Sequence, residues 1–306
     1  MTSLRFITAA ISLTTLISFA SPLAAAEKQA DKIPAKPTTD NKTTYLLTPE
    51  QNDLPRYHTS HFSSFSDDVP GFNQLVLKGI DIVQASAPKG GGYFIGIKAK
   101  PTESPIGYDI ELFGRPLIKA PRTTSYCSGS SYSAFIEGLN IYFKQHKPKE
   151  KLTSTRLEAM RMQEHDGGRR NDGIKMWGHW NDDGYGNHFA LVQYTKMGTV
   201  IDPNYARPGD FMNISWNNGG GHSVVFLGYL VSERLKAEGK PHHFLRYWSS
   251  QRSTNGLADQ TVSLANIKEV KVVRLTNLDN LFKFNPKRKV NDKIPGDKIT
   301  WHKEEK

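Results

Sequence analysis

Apolar positions recur at helical spacing in several stretches of the first two thirds of the chain, whereas the last third carries short apolar runs broken by turn residues. Phe72 to Val83 fits an amphipathic helix, although its β-branched residues keep a strand possible. Tyr132, Phe135, Ile136, Leu139 and Phe143 predict a helix from about Cys127 to Phe143, with Thr123, Thr124, Ser125 and Ser128 supplying capping hydroxyls. Thr155 to His165, with Leu157, Met160 and Met162 as core contacts, and Asn187 to Met197 read as further short helices. Gly91–Ala99 and Gly107–Phe113 read as two strands joined by a loop containing Pro101 and Pro105. Beyond Ala206 the pattern turns to strands at Phe211–Trp216, Ser223–Val231, Phe244–Ser249 and Ile267–Leu275. A helix feeding such an antiparallel sheet is an α+β arrangement.

The ends of the chain differ from this middle. Residues 1–26 combine Arg5, an apolar stretch from Phe6 to Ala20 and the small-residue run Leu23-Ala24-Ala25-Ala26, the pattern of a cleavable signal peptide. The apolar stretch is short for a membrane span, no later one reaches 18 residues, and no cysteine near the cleavage point offers a lipid anchor. The mature protein is therefore expected in the periplasm or outside the cell, without stable membrane insertion. Residues 27–56, rich in Lys, Thr, Pro, Asp and Asn, read as a flexible leader. The rest divides into a β-rich N-terminal extension at 57–120, a main domain at 121–284 and a basic tail at 285–306. The net charge of +10 suits an anionic surface such as cell wall, or ordinary solubility, and nucleic acid is not expected as a partner of an exported chain.

Export changes the meaning of the single cysteine. Cys127 has no partner for an internal disulfide, so its thiol is either an inert core residue or kept free for chemistry. In the first turn of a helix, unpaired N–H groups and the helix dipole stabilise a thiolate and can receive an oxyanion. His222 follows the loop Asn217-Asn218-Gly219-Gly220-Gly221 and opens an apolar strand, a place that suits a general base as well as a simple edge residue. The ten histidines show no zinc-helix spacing and there is no cysteine cluster, so neither a metal nor another cofactor is expected. A Gly-x-Ser-x-Gly elbow is also missing.

Three blocks in order, Cys127-Ser128-Gly129 with Tyr132 and Phe135, Arg207-Pro208-Gly209-Asp210-Phe211-Met212, and Gly221-His222-Ser223-Val224-Val225-Phe226-Leu227-Gly228, resemble the NlpC family of cell-wall cysteine peptidases. The related CHAP amidases share the order, and the likeness covers about residues 121–251. It implies a papain-like core in which the nucleophile helix packs on an antiparallel sheet, with Cys127 as nucleophile and His222 as base. The family's third polar residue lies on the strand after the histidine, where alternation groups Tyr247, Ser249 and Gln251 on one face and Trp248 with Ser250 on the other. Ser249 and Gln251 are the candidates to orient the imidazole, with Asn187 or His188 as fallbacks.

The chain departs from the family in two respects. Tyr126 stands where an aspartate is usual, and a long insertion containing Trp177, His179, Trp180 and Tyr185 separates Cys127 from His222. These aromatics, with Arg169 and Arg170, either form a stacking and carboxylate-binding surface or make a small core with a solvated edge. The expectation is thus an exported cysteine hydrolase that cleaves a peptide or amide bond, with peptidoglycan as substrate. The alternatives are an amidase or transacylase on another exported substrate and a non-catalytic wall-binding module.

Overall fold

The computed structural model describes residues 42–67, 69, 71–99, 106–162, 177, 187–288 and 295–303. The expected signal peptide, the leader up to residue 41 and the insertion residues Arg169, Arg170, His179, Trp180 and Tyr185 lie outside them.

The centre is a six-stranded antiparallel sheet ordered β3-β8-β4-β5-β6-β7. Its strands are β3 (Gly198–Ile201), β4 (Phe211–Trp216), β5 (Gly221–Val231), β6 (His243–Gln251), β7 (Gly256–Ser263) and β8 (Ile267–Leu275). Alternation sends Phe211, Val225, Trp248 and Val273 into one core and Met212, Val224, Phe226, Tyr247 and Val272 into a second. Both faces are covered, so these strands read as apolar runs rather than as an alternation of apolar and polar positions.

Two long helices, α3 (Gly71–Ser86) and α4 (Cys127–Gln145), supply the first core with Leu75, Val76, Ile80, Tyr132, Phe135 and Leu139. They cross closely because Gly79 leaves no Cβ at the crossing: one there would collide with the Ala134 carbonyl, and one on Gly138 would come within 3.3 Å of the Leu75 carbonyl oxygen. Short helices α1 (Pro49–Asn52) and α2 (His61–Phe65) precede them, α5 (Ser154–Ala159) follows, and α6 (Glu233–Ala237) joins β5 to β6. Thr48 caps α1 in a reciprocal box with Gln51. Trp177 is fully buried, its ring 5.3 Å from Phe135 and 5.2 Å from Phe211, so this member of the insertion is a core residue.

The extension expected to be β-rich is mainly helical. Among the described residues its one sheet is the hairpin of β1 (Ile110–Leu112) and β2 (Arg115–Ile118). Gly91 and Gly92 carry φ of 76° and 94°, which breaks the expected first strand into single bridges to Gly256 and Ser125. The second, expected at Gly107–Phe113, is reduced to β1. From Lys42 on, the expected flexible leader lies against the sheet: Leu47 N donates to the Tyr229 carbonyl (2.8 Å), and Arg246 donates to the carbonyls of Gln51 (3.1 Å), Asn52 (2.7 Å) and Leu54 (2.9 Å). The tail likewise packs, with Ile299 and Trp301 in the second core. The short helix expected at 187–197 is a π-helix over Phe189–Tyr194.

Two buried charge clusters tie the elements together. Asp210, fully buried, accepts from Arg274 on both oxygens (2.9 and 2.8 Å), from Asn73 of α3 (2.8 Å) and from the Arg207 backbone (2.8 Å). The Arg-Pro-Gly-Asp block is therefore a structural joint. His61 lies between Asp81 (2.8 Å) and Asp259 (2.9 Å), and Arg246 donates to the second Asp259 oxygen (3.0 and 2.8 Å).

Candidate functional site

Cys127 is the first residue of α4, and its neighbours are small hydroxyl residues that let the first turn lie flat on β5 and β6. Ser131 Oγ lies 2.7 Å from Ser223 Oγ, Ser130 Oγ accepts from Ser250 N (3.1 Å), and Ser125 Oγ donates to Ser250 Oγ (2.7 Å). Ser130 Oγ also donates to the Cys127 carbonyl (2.8 Å). Each of these hydroxyls is buried, and each is stabilised there by a hydrogen bond. The helix start is thereby fixed on the face of Ser223, while the side chain of His222 turns to the other face with Ile214 and Tyr247. Two hydroxyls flanking the cysteine, Thr124 Oγ1 and Ser128 Oγ, are buried with no hydrogen-bond partner.

His222 is 7% exposed, and its ring stands edge-on to Tyr247 at 5.5 Å between centroids. Tyr247 also lies within the field of Cys127: burial pushes its hydroxyl well up, and the negative charge of an ionised Cys127 acts in the same direction. Tyr247 is thus a common neighbour of the thiol and the imidazole. Tyr93 is raised by the same two causes, with the Arg252 charge opposing. A backbone bridge pairs Tyr93 with Ser125, and its ring is 5.8 Å from that of Tyr126. Among these aromatics Cys127 is only 1% exposed.

Gln251 and Ser249, the two candidates for the third member, part company here. Gln251 Nε2 donates to Thr254 Oγ1 (2.6 Å) and to the Ala258 carbonyl (3.3 Å), which fixes the amide and leaves Oε1 as its remaining acceptor. Burial pushes His222 down to about 4, and Gln251 acts against that fall. Gln251 Oε1 and His222 Nε2 are both buried without a hydrogen bond of normal geometry, so the two groups are neighbours short of a closed contact. Ser249 Oγ instead donates to the Ser223 carbonyl (2.7 Å) and braces the strand that carries the histidine. The fallback pair is committed elsewhere, because Asn187 and His188 both bond Asn213.

Sequence reasoning did not assign Tyr93 and Tyr247 to the surroundings of Cys127. Tyr247 shares the strand face already assigned to Gln251, so alternation was a usable signal for it. Tyr93 sits in a glycine-rich stretch with no local signal.

A second cluster, His58, His61 and Asp259, has ligand-type atoms all within 4.8 Å. Its geometry favours protons over a cation. Both His61 nitrogens face carboxylate oxygens, and burial, which alone would lower its pKa, is outweighed by Asp259 and Asp81, which raise it to about 9. An imidazolium has no lone pair to offer, and the Arg246 guanidinium already occupies Asp259. The His58 and His61 rings also stack at 4.0 Å, an awkward angle for two ligands of one ion.

Among the described residues no helix is long and apolar enough to cross a membrane. The observed class is α+β with an antiparallel sheet against which the cysteine helix packs. No family model, curated protein or solved structure gives a significant match to this chain.

Proposed function

We propose that the chain is an exported cysteine hydrolase with a papain-like core that cleaves a peptide or amide bond of peptidoglycan. The observation that carries this reading is Tyr247, which lies within the field of Cys127 and 5.5 Å from the His222 ring, with the Gln251 carbonyl oxygen left over beside the imidazole. In this mechanism neutral His222 takes the proton of Cys127 and the thiolate attacks the acyl carbon. Backbone N–H groups at the start of α4 hold the oxyanion, His222 returns the proton to the leaving amine, and water hydrolyses the thioester. Gln251 favours the imidazolium as it forms. Resemblance to the NlpC family supplies the choice of peptidoglycan.

The test is incubation with purified peptidoglycan and mass analysis of the released products. Cys127→Ala should abolish release while leaving the fold intact, and undiminished release from that variant would sink the mechanism. A second reading follows from the 1% exposure of Cys127, which suits an inert thiol in a wall-binding module. Thiol labelling at mildly acidic pH separates the two, since only an activated thiol reacts there.

A further inference from the structure

One face of the sheet carries a polar row where apolar residues would be expected. Asn213 of β4 pairs in register with Ser223 of β5 on one side and with Lys271 of β8 on the other. By alternation with Phe211, Val225 and Val273, all three belong to the face covered by α4. Ser223 touches Ser131 of that helix, one turn beyond Cys127. The row therefore runs from the cysteine end of the helix across the sheet to Lys271.

Lys271 is 8% exposed, and its ammonium makes no ion pair or hydrogen bond among the described residues. Glu269, two positions earlier on the strand, packs its carboxyl against Gly296 instead. The stem of Lys271 is thus covered while its ammonium stays in reach of water, the usual arrangement of a lysine at the rim of a packed face. Beside it lies His188, 1% exposed, whose Nδ1 accepts from Asn213 Nδ2 (3.0 Å) because Asn213 Oδ1 already accepts from Asn187 Nδ2 (2.7 Å). Burial, followed by the Lys271 charge, keeps this imidazole neutral by pushing it down to about 3. With Nδ1 as acceptor, the proton sits on Nε2, a buried donor without a partner. Asn187 Oδ1 is a buried acceptor without a partner. Two unspent donors, one of them charged, next to one unspent acceptor suit a carboxylate flanked by an N–H.

We propose that Lys271, His188 and Asn187 form a subsite for a free carboxylate of the substrate, and so select peptide-like substrates by that charge. The proposal rests on the Cys127 reading. Two strand spacings, about 10 Å, separate Lys271 from Ser223, and Ser131 above Ser223 is one turn, about 5 Å, from Cys127, so the carboxylate lies about three to five extended residues from the bond attacked.

N-acetyl-diglycine and its C-terminal amide are the probes, and calorimetry on Cys127→Ala protein reads binding without turnover. The acid should bind at least about tenfold more tightly than the amide. That ratio should fall to near one in Cys127→Ala/Lys271→Met and persist with Lys271→Arg. Equal binding of acid and amide, or a preference that survives Lys271→Met, overturns the subsite. Thermal melts of Lys271→Met and Lys271→Arg, read beside the calorimetry, separate lost binding from unfolding, since among the described residues the ammonium makes no bond whose loss would unfold the chain. In the unaltered protein the acid should slow alkylation of Cys127. A Lys271-dependent carboxylate that leaves alkylation untouched overturns the link to the cysteine. Persistent peptidoglycan hydrolysis by Cys127→Ala would instead remove the nucleophile, and the acid-to-amide ratio would still decide whether Lys271 binds a carboxylate.

Discussion

Burial holds His222 neutral down to about pH 4, against 6.5 for an ordinary histidine, so it remains a proton acceptor through the mildly acidic range. The activity read as kcat/KM should accordingly rise from a lower limb near pH 4 rather than near 6.5. Gln251 opposes the depression, so Gln251→Ala should move that limb to lower pH and reduce turnover by about tenfold or more. Ser249→Ala should leave the limb in place, since its hydroxyl bonds the Ser223 carbonyl and not the ring. A limb that stays fixed in Gln251→Ala would remove Gln251 from the role. At this scale the places of Cys127 and His222 were legible, because a helix start and a glycine-flanked strand mouth leave local marks. That Gln251 rather than Ser249 neighbours the ring was legible only as a matter of reach. Lys271 was not legible, because a lysine in a strand reads as solvent-facing until the neighbouring strand and the helix above it are known.

The crossing of α3 and α4 controls where the cysteine sits. Gly79→Ala would press a methyl group onto the Ala134 carbonyl, in the middle of the helix that begins with Cys127. Overpacking of this kind costs about 1–3 kcal/mol. Urea melts should show that loss, together with slower thiol labelling as the helix start shifts from Ser223. A variant as stable as its parent would mean that the helices yield without strain. The helix 127–145 and strands β4, β5, β6 and β8 were legible because their apolar spacing survives in one continuous stretch each. Strand β7 was not, since its Asp259 is buried only through Arg246 and through His58 and His61, about two hundred positions away in sequence. The expected strand at 91–99 failed for the opposite reason, as its alternation is real while its left-handed glycines prevent continuous pairing.

Three buried histidines give the whole molecule opposing responses to pH. His188 and His222 are neutral when folded and lowered to about 3 and about 4, so their contributions are present above pH 6.5 and lost as pH falls through those values. His61 is charged when folded and raised to about 9, so its contribution is full below 6.5 and lost as pH rises to about 9. At about 1.4 kcal/mol per pH unit these shifts correspond to roughly 3 kcal/mol each for His222 and His61 and roughly 5 kcal/mol for His188. Unfolding free energy from urea melts should therefore peak near pH 6.5. His61→Gln should flatten the alkaline side while leaving the acid side, and an unaltered alkaline slope would show that the imidazolium is not the titrating group. The docking of both chain ends has a mechanical corollary. Tyr229 receives the Leu47 backbone on one side and the Trp301 ring, 5.5 Å away, on the other, so a pull between the two tails would load this residue from both sides. Seven positions along β5 separate it from His222, about 23 Å of strand. Force applied through either tail would then be taken up at the far end of the strand, and the Cys127–His222 end would stay slack while the chain is anchored or dragged.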